Sequence, residues 1–452
     1  TAPHAMNKTT PFLISFLLLT ATAASGQIAV NINARNRITK EQVTFNAVIR
    51  TGGRIVVQTA LDPVTGQVSL ISYPDLRKYE FIPGDIESLW QFKMLEYKVY
   101  DALLAGGYQY DRRYAMEELM REFMVTAGQN GSFYIDSYLE SRLYGILRMV
   151  YPVRHTDRRP GVLSLRILSD ITPDAWVGPD GTMVITTGMI TAVNTELELM
   201  ALMAQEVSHF ALDHHLTNYS NLLPLGIEPA LGNLIRYSSQ QELQADQCAV
   251  SVLEAYGTSP GVLTSMLRKV LACGELMGNY YLGSTNGFFP DAASRAAANS
   301  DTLTYFSTDY ERLVAPVISF NAFKAYNQSQ YLLCRRLLER NIASGQASAD
   351  DRVLLSEAMM RLAGSDQDYE NALSVVRTVI STMAEPPAEA FKQEALLLLS
   401  LERRREAEAA LTKYETALGR EEQKYATMAG DWSQMLSYLA SEKEWVTSTR
   451  RR

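Results

Sequence analysis

The segment AQEVSHFALDHH, residues 204–215, holds side chains whose types and spacing could do chemistry. On a helix, residues four positions apart lie on one face, so Gln205 and His209 could converge on one metal ion. Glu206 would lie beside that ion, where a carboxylate can take a proton from a metal-bound water. The pattern suggests metal-assisted hydrolysis, with His209 as a ligand and Glu206 as the general base.

Gln205 weakens this interpretation, because the expected HExxH pattern has a histidine at its position. Zinc prefers imidazole, thiolate and carboxylate ligands, and an amide oxygen is a poor, uncharged donor. Since zinc binding by four ligands is worth about 10–16 kcal/mol, the loss of one ligand costs roughly 3 kcal/mol. That loss lowers zinc affinity on the order of a hundredfold. The sequence therefore predicts zinc binding that is weakened or absent.

A second helix is expected to face the first one. The segment QELQADQCA, residues 241–249, places Glu242 and Asp246 one helical turn apart. In that arrangement the Gln205 amide could donate a hydrogen bond to Asp246, which would tie the two helices together without a metal.

The surrounding pattern predicts the elements that position these residues. Apolar periodicity predicts helices over 195–216 and 239–255, with Thr195 as the N-cap of the first and Glu198 three residues later. The runs VLSLRIL and TMVITTG predict strands over 162–168 and 182–188, separated by the turn-rich segment DAWVGPDG. The second run precedes the motif helix at the distance expected of an edge strand beside a cleft.

Four motifs in order resemble one known family. The segments DAWVGPDGTMVITTGMI, TELELMALMAQEVSHFALDHH, ELQAD and FPDAASR are similar to the gluzincin zinc metallopeptidases. That family contains the CaaX prenyl proteases, the heat-shock membrane protease and the periplasmic β-barrel assembly-enhancing protease. The resemblance covers about residues 135–300 and implies a zinc-dependent endopeptidase domain.

The resemblance also implies roles for individual residues. His209 and Glu242 would be zinc ligands, Glu206 the general base, and Gln205 would stand where the first histidine ligand belongs. Asp246 would accept a hydrogen bond from that first ligand and orient it. An extended polypeptide would dock by backbone hydrogen bonds on a strand edge formed by Thr182, Met183, Val184, Ile185, Thr186 and Thr187.

Three further positions bear on the metal site. His214 matches a histidine common just after the motif helix, outside the set of direct ligands. His214 and His215 could instead substitute as ligands, although they are expected on a different helical face from Gln205. Phe289 stands where the family often has a histidine that can cap the zinc.

Composition and charge limit the classes of function. The chain has 452 residues, 47% hydrophobic and 20% charged, which is enough for two or three domains. The net charge is −8 and no basic stripe is present, so nucleic acid is not an expected partner. The three cysteines are widely spaced and allow at most one disulfide, which excludes a disulfide-stapled scaffold.

The N-terminal residues predict export. Lys8 and two threonines are followed by PFLISFLLLTATAASGQ, a short apolar run that ends in small residues. This pattern is typical of a secretory signal peptide, expected over residues 1–26. An uncleaved anchor is the alternative. The mature chain is expected to be periplasmic or secreted, and soluble.

The organisation after the leader predicts an α+β fold in three parts. Residues 27–85 read as a β-rich module, 86–300 as a metallopeptidase-like domain with a small mixed sheet, and 301–452 as helices alone. Within the last part, Glu357-Ala358 matches Glu394-Ala395 and Ala372-Leu373 matches Ala410-Leu411, at offsets of 37 and 38 residues. Such offsets suggest tetratricopeptide-like repeats, with an irregular helical bundle as the alternative.

Three functions fit these patterns. The first is an exported peptidase-like protein that binds unfolded or assembling envelope proteins, with reduced or no proteolysis. The second is an active zinc metalloendopeptidase in envelope quality control. The third is a scaffold within an outer-membrane assembly complex. In the first, the repeats would contact protein partners and the cleft would hold an extended polypeptide.

Overall fold

The computed structural model describes residues 26–105, 109–152, 163–279, 292–297 and 306–451. The predicted leader at 1–26, apart from Gly26, lies outside the described residues, and so does Phe289. Within the described ranges no helix is both long and apolar enough to cross a lipid bilayer. The architecture is mainly helical with two β-sheets, which confirms the expected α+β class.

The N-terminal part forms a five-stranded sheet with the order β4-β3-β2-β1-β5. Along β1, every second side chain from Ile28 to Ala34 is buried, because successive residues of a strand face opposite sides. This confirms the β-rich character of the first part. The strands are β1 (Gln27–Asn36), β2 (Gln42–Thr51), β3 (Arg54–Thr59), β4 (Leu70–Ser72) and β5 (Tyr79–Phe81).

Helices close the buried face of this sheet and lead to the next part of the chain. The Trp90 side chain is 1% exposed, and its Nε1 donates to the carbonyl of Val150 over 2.7 Å. The Gln91 amide oxygen accepts from the backbone N–H of Asn31 over 2.7 Å. The helices are α1 (Tyr73–Leu76), α2 (Ile86–Glu96), α3 (Val99–Leu103), α4 (Tyr110–Gln129) and α5 (Ser137–Val150).

A second sheet has the order β6-β8-β7, from β6 (Ser164–Leu168), β7 (Ala175–Val177) and β8 (Thr182–Thr186). Strands at the two predicted positions are confirmed. The predicted docking edge is wrong, because β8 pairs with β6 along its whole length and with β7 on its other side. All five residues of β8 are buried, which is typical of a central strand. Sequence shows that 182–186 is a strand, but not which strands flank it.

Thr187, assigned to the same docking edge, does not belong to the strand. It begins α6 (Thr187–Ala192), which the Thr186 hydroxyl caps by accepting from the backbone N–H of Met189 over 3.0 Å. Among the described strands, β7 is the edge of this sheet on the side away from β6. A polypeptide that adds to the sheet beside the motif helix would therefore pair with Ala175–Val177.

The motif helix α7 (Glu196–Ala211) begins as predicted, with the Thr195 hydroxyl accepting from the backbone N–H of Glu198 over 3.1 Å. It ends earlier than predicted. Asp213 takes a left-handed conformation, φ 61°, and a new helix, α8 (His214–Leu222), starts after it. Aspartate tolerates this conformation better than most residues, and Arg113 holds its carboxylate from α4. Helical periodicity does not reveal such a break.

The second motif helix, α10 (Ser239–Ala255), packs against α7 and confirms the predicted helix over 239–255. Ser238 and Gln241 form a capping box at its start, which satisfies backbone N–H groups that have no partner within the helix. The remaining helices of this part are α9 (Leu231–Leu234), α11 (Gly261–Leu276) and α12 (Ala292–Ala297). All three cysteines lie in described residues and are free.

The last part is helical throughout its described residues, and each helix packs against the next in the chain. Tetratricopeptide-like repeats stay a prediction for this arrangement. The helices are α13 (Thr308–Asn327), α14 (Tyr331–Ala343), α15 (Ala349–Leu362), α16 (Asp366–Thr382), α17 (Ala388–Ser400), α18 (Arg404–Thr427) and α19 (Ser433–Arg450).

The helical part is fixed to α6, the helix that follows the central strand β8. The Tyr310 hydroxyl donates to the carbonyl of Ile190 over 2.7 Å, and the Asn321 amide donates to the Thr191 hydroxyl over 2.9 Å. Arg340 donates to the carbonyl of Val193 over 2.8 Å. These buried polar contacts join the helical part to the elements that position the motif helix.

Candidate functional site

The crossing of α7 and α10 brings the predicted site residues together. The Gln205 amide nitrogen donates to Glu242 Oε2 over 2.9 Å, and His209 Nε2 lies 3.9 Å from the same oxygen. Glu206 is on the same helix, 4% exposed. The two helices therefore converge at this point, as the spacing of the motifs predicts.

The predicted hydrogen bond between Gln205 and Asp246 is wrong. Asp246 is instead held by Arg295 on α12, with Nε–Oδ2 and Nη2–Oδ1 distances of 2.7 and 2.6 Å. The third nitrogen of the same guanidinium lies 2.7 Å from Glu242 Oε2. The Gln205 amide donates instead to Glu242, one helical turn earlier on α10, and shares Oε2 of that carboxylate with Arg295.

The hydrogen-bond network assigns the tautomer of His209. His214 Nε2 lies 3.1 Å from Gln244 Oε1, which can only accept, so His214 carries its proton on Nε2. Its Nδ1 must then accept from His209 Nδ1, 3.0 Å away. His209 Nε2 is left with a lone pair that faces Glu242, and it has no hydrogen-bond partner.

Both imidazoles are neutral in this arrangement. Burial, with the neighbouring His214, His215 and Arg295, lowers the pKa of His209 well below its usual value. Burial likewise lowers the pKa of His214 to about 4. A neutral imidazole with a free Nε2 lone pair is the form that binds a metal.

The proposal that His214 or His215 replaces the missing ligand finds no support in their contacts. Both nitrogens of His214 lie within hydrogen-bond distance of a partner, His209 and Gln244. His215 Nε2 lies 2.9 Å from the hydroxyl of Tyr237. The Tyr237 ring also stacks on the His209 ring, with centroids 3.5 Å apart, so it covers one face of that imidazole.

A cavity of about 80 Å³ lies between the β7 segment and the two motif helices. Trp176 lines it from the edge strand, and the Trp176 Nε1–H has no partner. The Glu206 carboxyl also faces this cavity. Its full lining is Asp174, Ala175, Trp176, Glu206, Gly232, Ile235, Arg236, Tyr237 and Glu242.

The acids of this cavity hold protons more tightly than free carboxyls. Burial and the charges of Glu242 and Asp174 raise the pKa of Glu206 well above its usual value. Burial raises the pKa of Asp174 to about 8. Burial also raises the pKa of Glu242 to about 7, against the opposing effect of Arg295. The cavity therefore disfavours negative charge on all three carboxyls.

The donor set is incomplete for a catalytic zinc ion, which takes three protein ligands and a water. Within the described residues no group of three His, Cys, Asp or Glu side chains could hold a metal. However, Gln205 Oε1 and His209 Nε2 are buried without partners beside the Glu242 carboxylate. Gln205, His209 and Glu242 are the side chains that would hold a metal ion here, although Arg295 already lies 2.7 Å from Glu242 Oε2.

Sequence analysis did not single out three residues of this site. Arg295 and Asp174 lie inside the segments FPDAASR and DAWVGPDG, which resemble the peptidase family. Their position in these two motifs could have marked both as candidate site residues. Tyr237 lies in the connection before α10 and carries no such signal. Its hydroxyl contacts His215, which lies at the start of the helix that begins after Asp213.

Comparison with known proteins adds one finding. Residues 164–232 match the model of peptidase family M48. The matched segment begins at β6 and includes Gln205, Glu206 and His209, but it ends before Glu242, Asp246 and Arg295. No curated protein matches the chain. The match supports a peptidase-family domain of the M48 type around the motif helix.

Proposed function

We propose that this protein is a peptidase-like polypeptide-binding protein whose proteolytic activity is reduced or lost. One observation carries the proposal: at the first ligand position an amide, Gln205, donates its N–H to the carboxylate of Glu242. A histidine there would direct a nitrogen lone pair at the metal. The amide instead uses its nitrogen to join two helices.

The raised pKa of Glu206 supports the same proposal. A general base must be ionised to accept a proton, but the surroundings of Glu206 favour the protonated form. Only an added cation close to Glu206 would reverse this. Weaker cation binding and a carboxyl that holds its proton more tightly would both lower the rate of hydrolysis.

The edge strand is the proposed docking site for the polypeptide. Ala175–Val177 pairs with β8 on one side, and within the described part of the chain no strand pairs with its other side. All three residues of this strand are buried, and Leu231 and Ile235 pack against the buried cluster that contains Trp176, so an extended chain would add there by β-augmentation once the segment around Ile235 moves aside. The cavity beside Glu206 would then receive one side chain of that polypeptide.

The helical part is the proposed surface for protein partners. The two sequence offsets correspond to equivalent helices: Ala358 and Ala395 are buried in α15 and α17, and Ala372 and Ala410 are buried in α16 and α18. Small buried residues at matching positions support tetratricopeptide-like stacking.

The leader-like sequence supports an envelope setting for these partners. Residues 1–26 have the charge, apolar run and small residues of a signal peptide. We therefore propose a periplasmic or secreted protein that binds unfolded or assembling envelope proteins. We also propose that the protein could bind these partners as a member of an outer-membrane assembly complex.

A second candidate is an active zinc metalloendopeptidase in envelope quality control. The free lone pair of His209 Nε2 and the unpartnered Gln205 Oε1, both beside Glu242, favour it. When bound, zinc would activate water and polarise the scissile carbonyl. Glu206 would hold or release the proton at its carboxylate.

Metal analysis with a proteolysis assay separates the two candidates. We expect the purified protein to contain well under one zinc per chain and to leave unfolded casein uncleaved. One zinc per chain, with casein cleavage that Glu206→Gln abolishes, would establish the active peptidase instead. The exposed Glu254→Gln on α10 is the matched control and should behave as the unchanged protein.

A further inference from the structure

A cavity of about 800 Å³ opens between α8 and the start of α10, and the proposed function does not use it. Its volume is within the range of small-molecule binding sites. It adjoins the cavity beside Glu206, since Arg236 and Tyr237 line both. We call it the amide pocket, because six of its lining side chains are amides: Asn218, Asn221, Asn233, Gln240, Gln241 and Gln244.

Hydrogen bonds hold the walls of the amide pocket in place. Asn218 Nδ2 donates to the carbonyls of Leu234 and Arg236 over 3.0 and 3.1 Å. Its Oδ1 accepts from the Gln241 amide over 2.9 Å, so α8 is joined both to α9 and to α10. The pocket is therefore formed before a ligand arrives, which lowers the entropic cost of binding.

Other amides of this pocket keep hydrogen-bonding groups available to a ligand. Asn233 and Gln244 each use only the side-chain oxygen in a hydrogen bond. Among the described residues, no protein group bonds to their amide nitrogens or to the side chains of Asn221 and Gln240. An amide offers donors and an acceptor side by side, which matches a ligand whose hydroxyl groups both donate and accept.

The rest of the lining favours a saccharide over a polypeptide. Among the described residues, only two aliphatic side chains, Leu212 and Leu222, line the pocket. The apolar side chains of an unfolded polypeptide would therefore bury little surface there. Tyr97 and Tyr237 line it as well. An aromatic ring packs on the C–H face of a sugar ring, while the amides bind the sugar hydroxyls.

The charge of the pocket selects among saccharides. Arg236 is the one arginine or lysine of the described lining, and no carboxylate lines the pocket or pairs with Arg236 within the described residues. A guanidinium pairs with a planar carboxylate through two parallel hydrogen bonds. A phosphate group carries more negative charge and favours several cations. A single free guanidinium therefore favours a carboxylate on the ligand.

We infer that the amide pocket binds a saccharide that carries a carboxylate, as a uronic acid does. The carboxylate would pair with Arg236, and the sugar hydroxyls would bond to the free amides of Asn221, Asn233, Gln240 and Gln244. The pocket does not include the strand Ala175–Val177, so this ligand is independent of the proposed polypeptide docking.

Isothermal titration calorimetry with two disaccharides tests this assignment. Cellobiuronic acid has a carboxylate where cellobiose has a hydroxymethyl group, and the two are otherwise identical. We expect both to bind, with cellobiuronic acid about threefold to fivefold tighter, which is the effect of one exposed charge pair. No binding of cellobiuronic acid at millimolar concentration, or equal affinities of the two disaccharides, would overturn the assignment.

Two exposed substitutions locate the ligand within the protein. Arg236→Gln should bring the affinity for cellobiuronic acid down to that for cellobiose, and Gln240→Ala should weaken the binding of both. Glu254→Gln, an exposed change on α10 outside the pocket, should keep both affinities. Circular dichroism checks that all three variants are folded. A preference that survives Arg236→Gln, or affinities that Gln240→Ala leaves unchanged, would place the saccharide elsewhere and refute the assignment.

Discussion

His209 and His214 are joined by a contact of 3.0 Å between their Nδ1 atoms, although they belong to different helices. The contact depends on the left-handed residue Asp213, which ends α7 and starts α8 in a new direction. The pair fixes where the proton of His209 lies, because His214 can only accept at Nδ1 while its Nε2 donates to Gln244. The Nε2 atom of His209 therefore keeps its lone pair toward Glu242.

Replacing His214 by phenylalanine should release this tautomer. His214→Phe removes the acceptor of His209 Nδ1–H, and a buried donor without a partner costs about 1–3 kcal/mol. We expect the proton of His209 to move to Nε2, where it faces Glu242. Long-range ¹H–¹⁵N correlation spectra of the imidazoles report the position of the proton. Persistence of the Nδ1–H form in His214→Phe would show that His214 does not set the tautomer.

Restoring the missing imidazole should restore metal binding. Gln205→His adds a nitrogen ligand beside His209 and Glu242, and we expect zinc affinity to rise on the order of a hundredfold. Equilibrium dialysis against buffered zinc measures the change.

Gln205→Leu is the matched control for this change, since it removes the amide without adding a ligand. It should bind zinc no better than the unchanged protein. If Gln205→His leaves the zinc affinity unchanged, the amide is not what limits zinc binding. The positive charge of Arg295, which lies 2.7 Å from the Glu242 carboxylate, would then be the better explanation for weak zinc binding.

Sequence patterns predicted the convergence of the two motif helices because helical spacing constrains neighbours along one chain segment. They placed Thr195, Glu206, His209 and Glu242 correctly relative to their helices. They failed where the outcome depends on contacts between distant segments. Arg295 lies 49 residues beyond Asp246, and no local rule pairs the two.

The order of the strands was another such failure. A run of buried residues such as 182–186 predicts a strand, but pairing partners are set by the packing of the whole sheet. Sequence patterns do not predict the edge strand Ala175–Val177, because the segment is short and lies among turn-forming residues. The break at Asp213 was also hidden, since apolar periodicity continues on both sides of it.

Arg295 is expected to stabilise the fold through its two carboxylate partners. Its side chain is 7% exposed and contacts both Asp246 and Glu242. Arg295→Met would leave these two buried charges without their cation, which typically costs about 3–5 kcal/mol. Urea unfolding followed by circular dichroism measures the free energy of unfolding.

An exposed arginine provides the comparison for this loss. Arg312, with a side chain 71% exposed, pairs with Asp309 at 3.8 Å on the surface of α13. Arg312→Met should change the free energy of unfolding by less than about 1 kcal/mol. Similar losses for the two variants would mean that the contacts with Asp246 and Glu242 add little to stability.

Two glycines should respond in opposite directions to the same substitution, because their surroundings differ. A Cβ atom at Gly188, at the start of α6, would lie 2.5 Å from the carbonyl carbon of Thr172 and would also overlap the carbonyl group of Ile171. Backbone atoms cannot move aside as a flexible side chain can, so Gly188→Ala should lower the free energy of unfolding by more than about 4 kcal/mol.

A Cβ at Gly145, on the exposed face of α5, meets nothing within 4 Å. Gly145→Ala should therefore raise the free energy of unfolding by about 0.5–1 kcal/mol. Thermal and urea unfolding of both variants measure the two changes, and a tolerated Gly188→Ala would show that β8 and α6 can move apart from the segment around Ile171.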